Sequence, residues 1–153
     1  MTLPEQREKT ATLAAALGLL AVVAALYSGV ATHDFVEFDD PLYVIANDHV
    51  REGLHAGSLV WAFTNDTAFL WHPLTWVSLL VDAEIHGVER AGPFLVTNVL
   101  LHVLNFGLVL WALLALTARL DGPGRHAACL FAAGVFALHP VQVESVAWVS
   151  ARK

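Results

Sequence analysis

The 26 residues from Pro93 to Ala118, PFLVTNVLLHVLNFGLVLWALLALTA, contain no Asp, Glu, Lys or Arg. A run of this length and character constrains the fold more than any other feature. About 20 apolar residues cross a bilayer as a helix, and a longer run crosses with some tilt. Ala11 to Ala31 repeats the pattern without a charged residue, after Arg7 and Lys9. The rival for this first run is a cleaved leader, with small residues at Gly29 and Ala31. Its apolar length exceeds the ~7–15 residues of a leader's core, which favours an uncleaved span. A third run, His126 to Pro140, has a shorter apolar core. It reads as a buried or re-entrant segment unless the helix continues through His139 to Val143 or neighbouring helices bury its ends. The chain is 57% hydrophobic and 14% charged with a mean hydropathy of +0.60, well above the globular balance. The expected fold is an all-α membrane protein with about three transmembrane helices.

Charge gives the orientation. Residues 32–92 hold ten acids (Asp34, Glu37, Asp39, Asp40, Asp48, Glu52, Asp66, Asp82, Glu84, Glu89) against Arg51 and Arg90, a net charge of −8. Basic residues precede the first span, and Arg119 and Arg125 follow the second. The positive-inside rule then puts residues 1–10 and 119–125 in the cytoplasm and 32–92 outside. Spans at 11–31, 93–118 and 126–140 complete the order, and 141–153 begins a second outer loop. Outside means the periplasm for a bacterial inner membrane and the lumen for an endoplasmic reticulum membrane. A net charge of −6 over the whole chain, with no basic patch, argues against nucleic acid as a partner. The single cysteine, Cys129, has no intramolecular disulfide partner and reads as a small buried hydrophobe.

The outer loop is too long for a mere connector. Val50, Leu54, Leu59, Val60 and Phe63 suggest a short amphipathic helix. Leu74, Val77, Leu80 and Val81 recur at helical spacing up to Gly87, a plausible stop. With Trp61, Trp71 and Trp76 in the same loop, these read as interfacial helices along the membrane surface. In the second span Asn98, His102 and Asn105 follow i, i+4, i+7 and share one face. They read as helix–helix contacts, and His102 equally as the lining of a polar cavity. The adjacent carboxylates of FVEFDDPLYV, Asp39 and Asp40, stand before Pro41. By themselves they allow a capped turn. Topology brings His139 and Glu144 to the same side as Asp39, Asp40 and His72. No Cys pair or HExxH spacing marks a metal site, so no metal is required, although oxygen-rich ligands could hold Mg²⁺ or Mn²⁺.

Four segments in order, FVEFDDPLYVIANDHVREGL, WHPLTWVSLLVDAEIHG, LVTNVLLHVLN and ALHPVQVESVAWVSARK, resemble the N-terminal region of a known family. It comprises the membrane glycosyltransferases with transmembrane and tetratricopeptide-repeat parts, which are O-mannosyltransferase-like, and a bacterial relative is the nearer likeness. The resemblance covers about residues 33–153 and implies part of a GT-C helical bundle. It implies a polyprenyl-phosphate sugar donor and a protein or glycan hydroxyl acceptor. Asp39 and Asp40 match the donor-facing acidic motif, and one of them would take the acceptor's proton in an inverting transfer. His72, His139, Glu144 and Arg152 are then expected to bind donor phosphate or acceptor, with Arg51 and Lys153 as further cations and Arg152 as the first choice. Chains of that family continue beyond the equivalent of Lys153. The resemblance therefore implies a partial or truncated copy, inactive alone, for which a non-catalytic membrane anchor or assembly subunit is the alternative.

Overall fold

The computed structural model describes residues 3–65, 70–120, 122 and 124–152. Asp66 and Lys153 lie outside the described residues. Among those described the chain is helical and no strand occurs. The helices are α1 (Leu3–Leu26), α2 (Asp48–Arg51), α3 (Ala56–Thr64), α4 (Pro73–His86), α5 (Gly92–Leu116), α6 (Arg125–Leu138) and α7 (Gln142–Ala147). A 3₁₀ turn at Ser28–Thr32 follows α1, and a π turn at Pro41–Ile45 precedes α2.

Two segments are long and apolar enough to cross a membrane: Gln6–Thr32 and Gly92–Leu116. Only 22% and 17% of their most apolar windows are buried inside the protein, which distinguishes them from the core helices of a soluble fold. Leu13, Leu17, Val22 and Leu26 on α1, and Leu100, Leu104, Leu108 and Trp111 on α5, are all exposed. Exposed apolar surface of that extent is what a bilayer or a packed partner covers. The third run differs from expectation. Helix α6 has 14 residues and ends at Leu138, so at ~1.5 Å per residue it reaches ~21 Å, short of a ~30 Å hydrocarbon core. It does not continue through His139 to Val143. The His139 backbone turns extended (φ −66°, ψ 133°) ahead of Pro140, as the residue before a proline must, and α7 starts afresh at Gln142.

The chain forms two compact units. The first comprises residues 1–28 and 99–142. Here α6 packs on α1 through small residues: Ala133 and Ala137 are fully buried, and Gly134 admits the Leu19 side chain. Thr12 Oγ1 and His126 Nδ1 add a 2.9 Å hydrogen bond across this pair. Cys129 is buried, as expected.

The second unit comprises residues 29–98 and 143–153. Its helices are short, and each has a local reason to start or stop. The Asn47 side chain caps α2 by accepting from Val50 N–H. A reciprocal capping box of His55 and Ser58 starts α3. Helix α4 begins at Pro73, where the missing N–H costs nothing, and ends at Gly87 in a positive-φ conformation (φ 72°). The apolar residues of these helices lie differently from the sequence pattern. Leu59, Val60 and Phe63 of α3 and Leu74 of α4 are exposed, while Ser58, Ala62, Thr75, Trp76, Leu79 and Asp82 are buried. The stripe that periodicity picks out faces away from the protein on α3 and divides on α4, where Leu74 and Val81 are exposed and Leu80 is fully buried.

Candidate functional site

Asp39 and Asp40 occupy the turn before Pro41, but their side chains have separate fates. Asp40 is fully buried. Its Oδ2 accepts from Val36 N–H at 2.8 Å and its Oδ1 from Ser150 N–H at 2.9 Å. It therefore binds the stretch just before Pro41 to the WVSAR segment, and its side chain does not cap the turn that follows. Asp39 stays half-buried, with no hydrogen bond from its carboxylate to a described residue. Its backbone carbonyl accepts from Tyr43 N–H at 3.0 Å.

Tyr43 belongs to a continuous run of rings. It stacks on His72 (5.6 Å, 7°) and on Trp76 (4.8 Å, 21°), and His72 also lies over Trp76 at 5.0 Å. Trp61 meets Trp76 edge-on at 4.9 Å and carries His49 on its own face. Burial, assisted by the Asp39 charge, raises the Tyr43 phenol above its ordinary pKa, so it remains a neutral hydroxyl. The ring run explains the DPLY and WHPLTW segments together: π-turn and helix start hold Tyr43 and His72 parallel.

The end of the chain, WVSAR, has little regular structure of its own. Side chains from other elements satisfy its backbone. Asn98 Nδ2 donates to the Trp148 carbonyl at 3.0 Å, Asp40 accepts from Ser150 N–H, and Thr75 Oγ1 donates to the Arg152 carbonyl at 2.8 Å. The Arg152 side chain then runs inward and is buried. Nε donates to Asn98 Oδ1, Nη1 to Ser78 Oγ at 3.1 Å and Nη2 to the Phe94 carbonyl at 2.7 Å. Nη2 also lies 2.6 Å from Asp82 Oδ2. That contact is a charge contact without good N–H alignment, since Oδ2 receives no aligned donor. Thr97 Oγ1 completes the carboxylate by donating to Oδ1 at 2.7 Å. Burial lowers the Arg152 pKa and Asp82 opposes the shift, and a guanidinium stays charged throughout the physiological range.

The residues expected to meet a ligand thus divide. The structure brings Asp39, Asp40, His72, Asn98 and Arg152 into one unit with a shared hydrogen-bond and ring framework. Glu144 belongs to the same unit, exposed in the first turn of α7. Arg152 differs from the expectation of a phosphate ligand at the surface, because its donors are committed to Asn98, Ser78 and Phe94 and its charge to Asp82. His139 belongs to the other unit. It is exposed, and its Nδ1 accepts from Val141 N–H at 3.2 Å, closing the turn after α6. His102, also in that unit, donates from Nε2 to the Ala137 carbonyl at 2.9 Å and packs on Tyr27 and Phe136. The Ala137 carbonyl sits in the last turn of α6, where intrahelical donors run out. His102 is therefore a contact between helices. Asn105 is exposed, so the expected polar face holds for Asn98 and His102 and is not buried as far as Asn105.

Sequence reasoning counted Asp82 only as one acid of ten. The available signal was its position in α4, seven residues after Thr75 and three after Leu79, on the helix's buried face. Among the described residues no group of three or more His, Cys, Asp or Glu is placed to hold a metal ion. No protein-family model matches the chain, and neither a curated protein nor a solved structure matches it.

Proposed function

We propose that the chain is the N-terminal part of a multi-pass membrane glycosyltransferase that moves a sugar from a polyprenyl-phosphate donor to a protein or glycan hydroxyl. The observation that carries this reading is the division of labour between the two carboxylates. Asp40 is locked by two backbone N–H groups, and that lock presents its neighbour Asp39 half-exposed beside the Tyr43–His72 stack. A carboxylate with an open side, on a backbone that its neighbour holds in place, is what a base needs to take a proton from an attacking hydroxyl as the C1–O bond forms. The proton passes from acceptor to Asp39, and the lipid phosphate leaves with the bonding electrons. Arg152 serves as a positioning residue: it holds the WVSAR segment whose Ser150 N–H fixes Asp40. His72 and Arg51, in the same unit as Asp39, are then the donors to phosphate, with Glu144 toward the acceptor. On this reading the membrane is a bacterial inner membrane, residues 32–92 are periplasmic, and the α6–α7 region supplies a third crossing of a GT-C bundle. Mg²⁺ or Mn²⁺ would be an accessory and not the source of the base.

The test is sugar transfer in membranes bearing the full-length protein of which this chain is the N-terminal part, as wild type, Asp39→Asn or Asp40→Asn, supplied with radiolabelled polyprenyl-phosphate mannose or glucose. Asp39→Asn should lower transfer by at least about a hundredfold, the usual weight of a general base, at unchanged protein level. Asp40→Asn should lower protein stability together with transfer, because one of two buried N–H groups loses its acceptor. Full transfer by Asp39→Asn, or none by wild type from either donor, would sink the proposal. The exposed apolar faces of α3 and α4 favour a second reading, a membrane anchor or assembly subunit without catalysis. That reading expects a stable complex and no donor turnover.

A further inference from the structure

The first unit contains a cavity of about 400 Å³ that none of the residues discussed above for sugar transfer enters. Its floor is apolar: Leu13 and Ala16 from α1 and Leu110 and Leu114 from α5. Its rim is basic, with Lys9 on α1 and Arg125 and His126 at the start of α6. The rim is a built arrangement. Arg125 Nη1 donates to the Leu114 carbonyl at 3.1 Å, and Nη2 donates to His126 Nε2 at 2.8 Å. His126 therefore keeps its proton on Nδ1 and donates it to Thr12 Oγ1, whose own hydroxyl proton goes to the Glu8 carbonyl. This chain fixes the guanidinium over the apolar floor and leaves further N–H donors pointing away from its partners. The Glu8 carboxylate is 3.9 Å from His126 Nδ1 and half-exposed, a partial counter-charge at the rim. Arg7 and Arg119, both exposed, flank the same helix ends and restore a positive balance.

We infer that this cavity is a binding site for an anionic phospholipid. Its phosphate would lie on Arg125 and Lys9, and an acyl chain would follow Leu13, Ala16, Leu110 and Leu114. A soluble anion would use the rim and leave the floor uncovered, whereas an amphiphile satisfies both. Basic pockets between transmembrane helices on the positive side of a membrane take this class of headgroup. The inference is independent of sugar transfer and stands or falls without it.

The full 153-residue chain, purified in neutral detergent, provides the test through its thermal unfolding midpoint with dioleoylphosphatidylglycerol, dioleoylphosphatidylcholine or inorganic phosphate added separately. Phosphatidylglycerol should raise the midpoint, and the other two should not. Lys9→Gln and Arg125→Gln should each raise the half-saturating lipid concentration about fivefold, the weight of one basic residue at a lipid headgroup. Arg90→Gln, an exposed cation of the other unit, should leave it unchanged. Arg125→Gln also removes the bond to Leu114, so Lys9→Gln, at an exposed position, decides if Arg125→Gln fails to fold. An equal response to phosphatidylcholine would reduce the site to an apolar groove. A response to inorganic phosphate of the same size would make it an anion site with no lipid requirement. Either result, or an unchanged response in the folded variants, overturns the inference.

Discussion

Removing one member of the Arg152–Asp82 pair strands the other in a site that water does not reach. A buried ion pair broken on one side costs about 3–5 kcal/mol, while replacing both members by apolar groups of similar volume is often neutral. Arg152→Met should therefore destabilise the fold by about 3–5 kcal/mol, and Asp82→Asn by less, since Thr97 can still donate to its remaining oxygen. The double variant should recover part of the Arg152→Met loss. Arg152→Lys should not rescue, because an ammonium cannot reach Asn98, Ser78 and Phe94 at once. Unfolding of the four proteins in one detergent measures the coupling. Additive losses would show that the 2.6 Å contact carries no energy of its own. The same residues show what was legible at this scale. Adjacent acids before a proline announced a special turn, and the structure gives Asp40 there a buried role as acceptor of two backbone N–H groups. Its distinction from Asp39 depends on Ser150, 110 residues away, and no local spacing encodes such a partner. Arg152 was visible as a cation near the end of the chain, and its burial was not, because the acid that holds it lay unmarked in α4.

Glycine 92 shows how an element's position is set by a missing side chain. A Cβ built there would lie 2.1 Å from the Ala31 carbonyl oxygen, so α5 starts against the 3₁₀ turn only because residue 92 has none. Gly92→Ala should destabilise the second unit by about 1–3 kcal/mol, the cost of forcing atoms into a packed site. Gly107→Ala, also within α5 and with nothing within 4 Å of the new atom, is the matched control and should be neutral to stabilising, by up to about 1 kcal/mol. Equal midpoints for the two variants would mean that the close approach is not maintained. Element existence was well encoded here. Pro73 and Gly87 bracket α4 as expected, and α5 begins one residue before the apolar run does. Facing was not, since the apolar spacing on α3 belongs to the exposed side and that on α4 divides, with Leu74 exposed and Leu80 buried. A membrane surface would account for the exposed apolar residues: those of an interfacial helix turn toward lipid, and its polar and aromatic residues turn toward the protein.

For the molecule as a whole, the number of crossings depends on what α6 does. Helices α1 and α5 carry enough apolar length by themselves, and the ends of α5 should then lie on opposite sides of the membrane. Helix α6 at ~21 Å needs the extended His139–Pro140 step and α7 to complete a crossing, or else it returns to the side where it began. A re-entrant segment requires its non-helical backbone to be buried in protein or to line a cavity. His139 and Pro140 line a cavity with Leu19 and Phe131, while Val141 is exposed, so the labelling of residue 141 decides between the two cases. Single cysteines placed at Glu89, Arg119 and Val141 in a Cys129→Ser background separate these cases. In intact cells an impermeant maleimide should label Glu89→Cys and Val141→Cys, and should reach Arg119→Cys only after lysis. Labelling of Val141→Cys with the Arg119 pattern would make α6 re-entrant and leave two crossings. Labelling of Arg119→Cys in intact cells, with Glu89→Cys protected, would reverse the orientation that the charges assign. It would also move Asp39 away from the compartment in which the proposed acceptor is met.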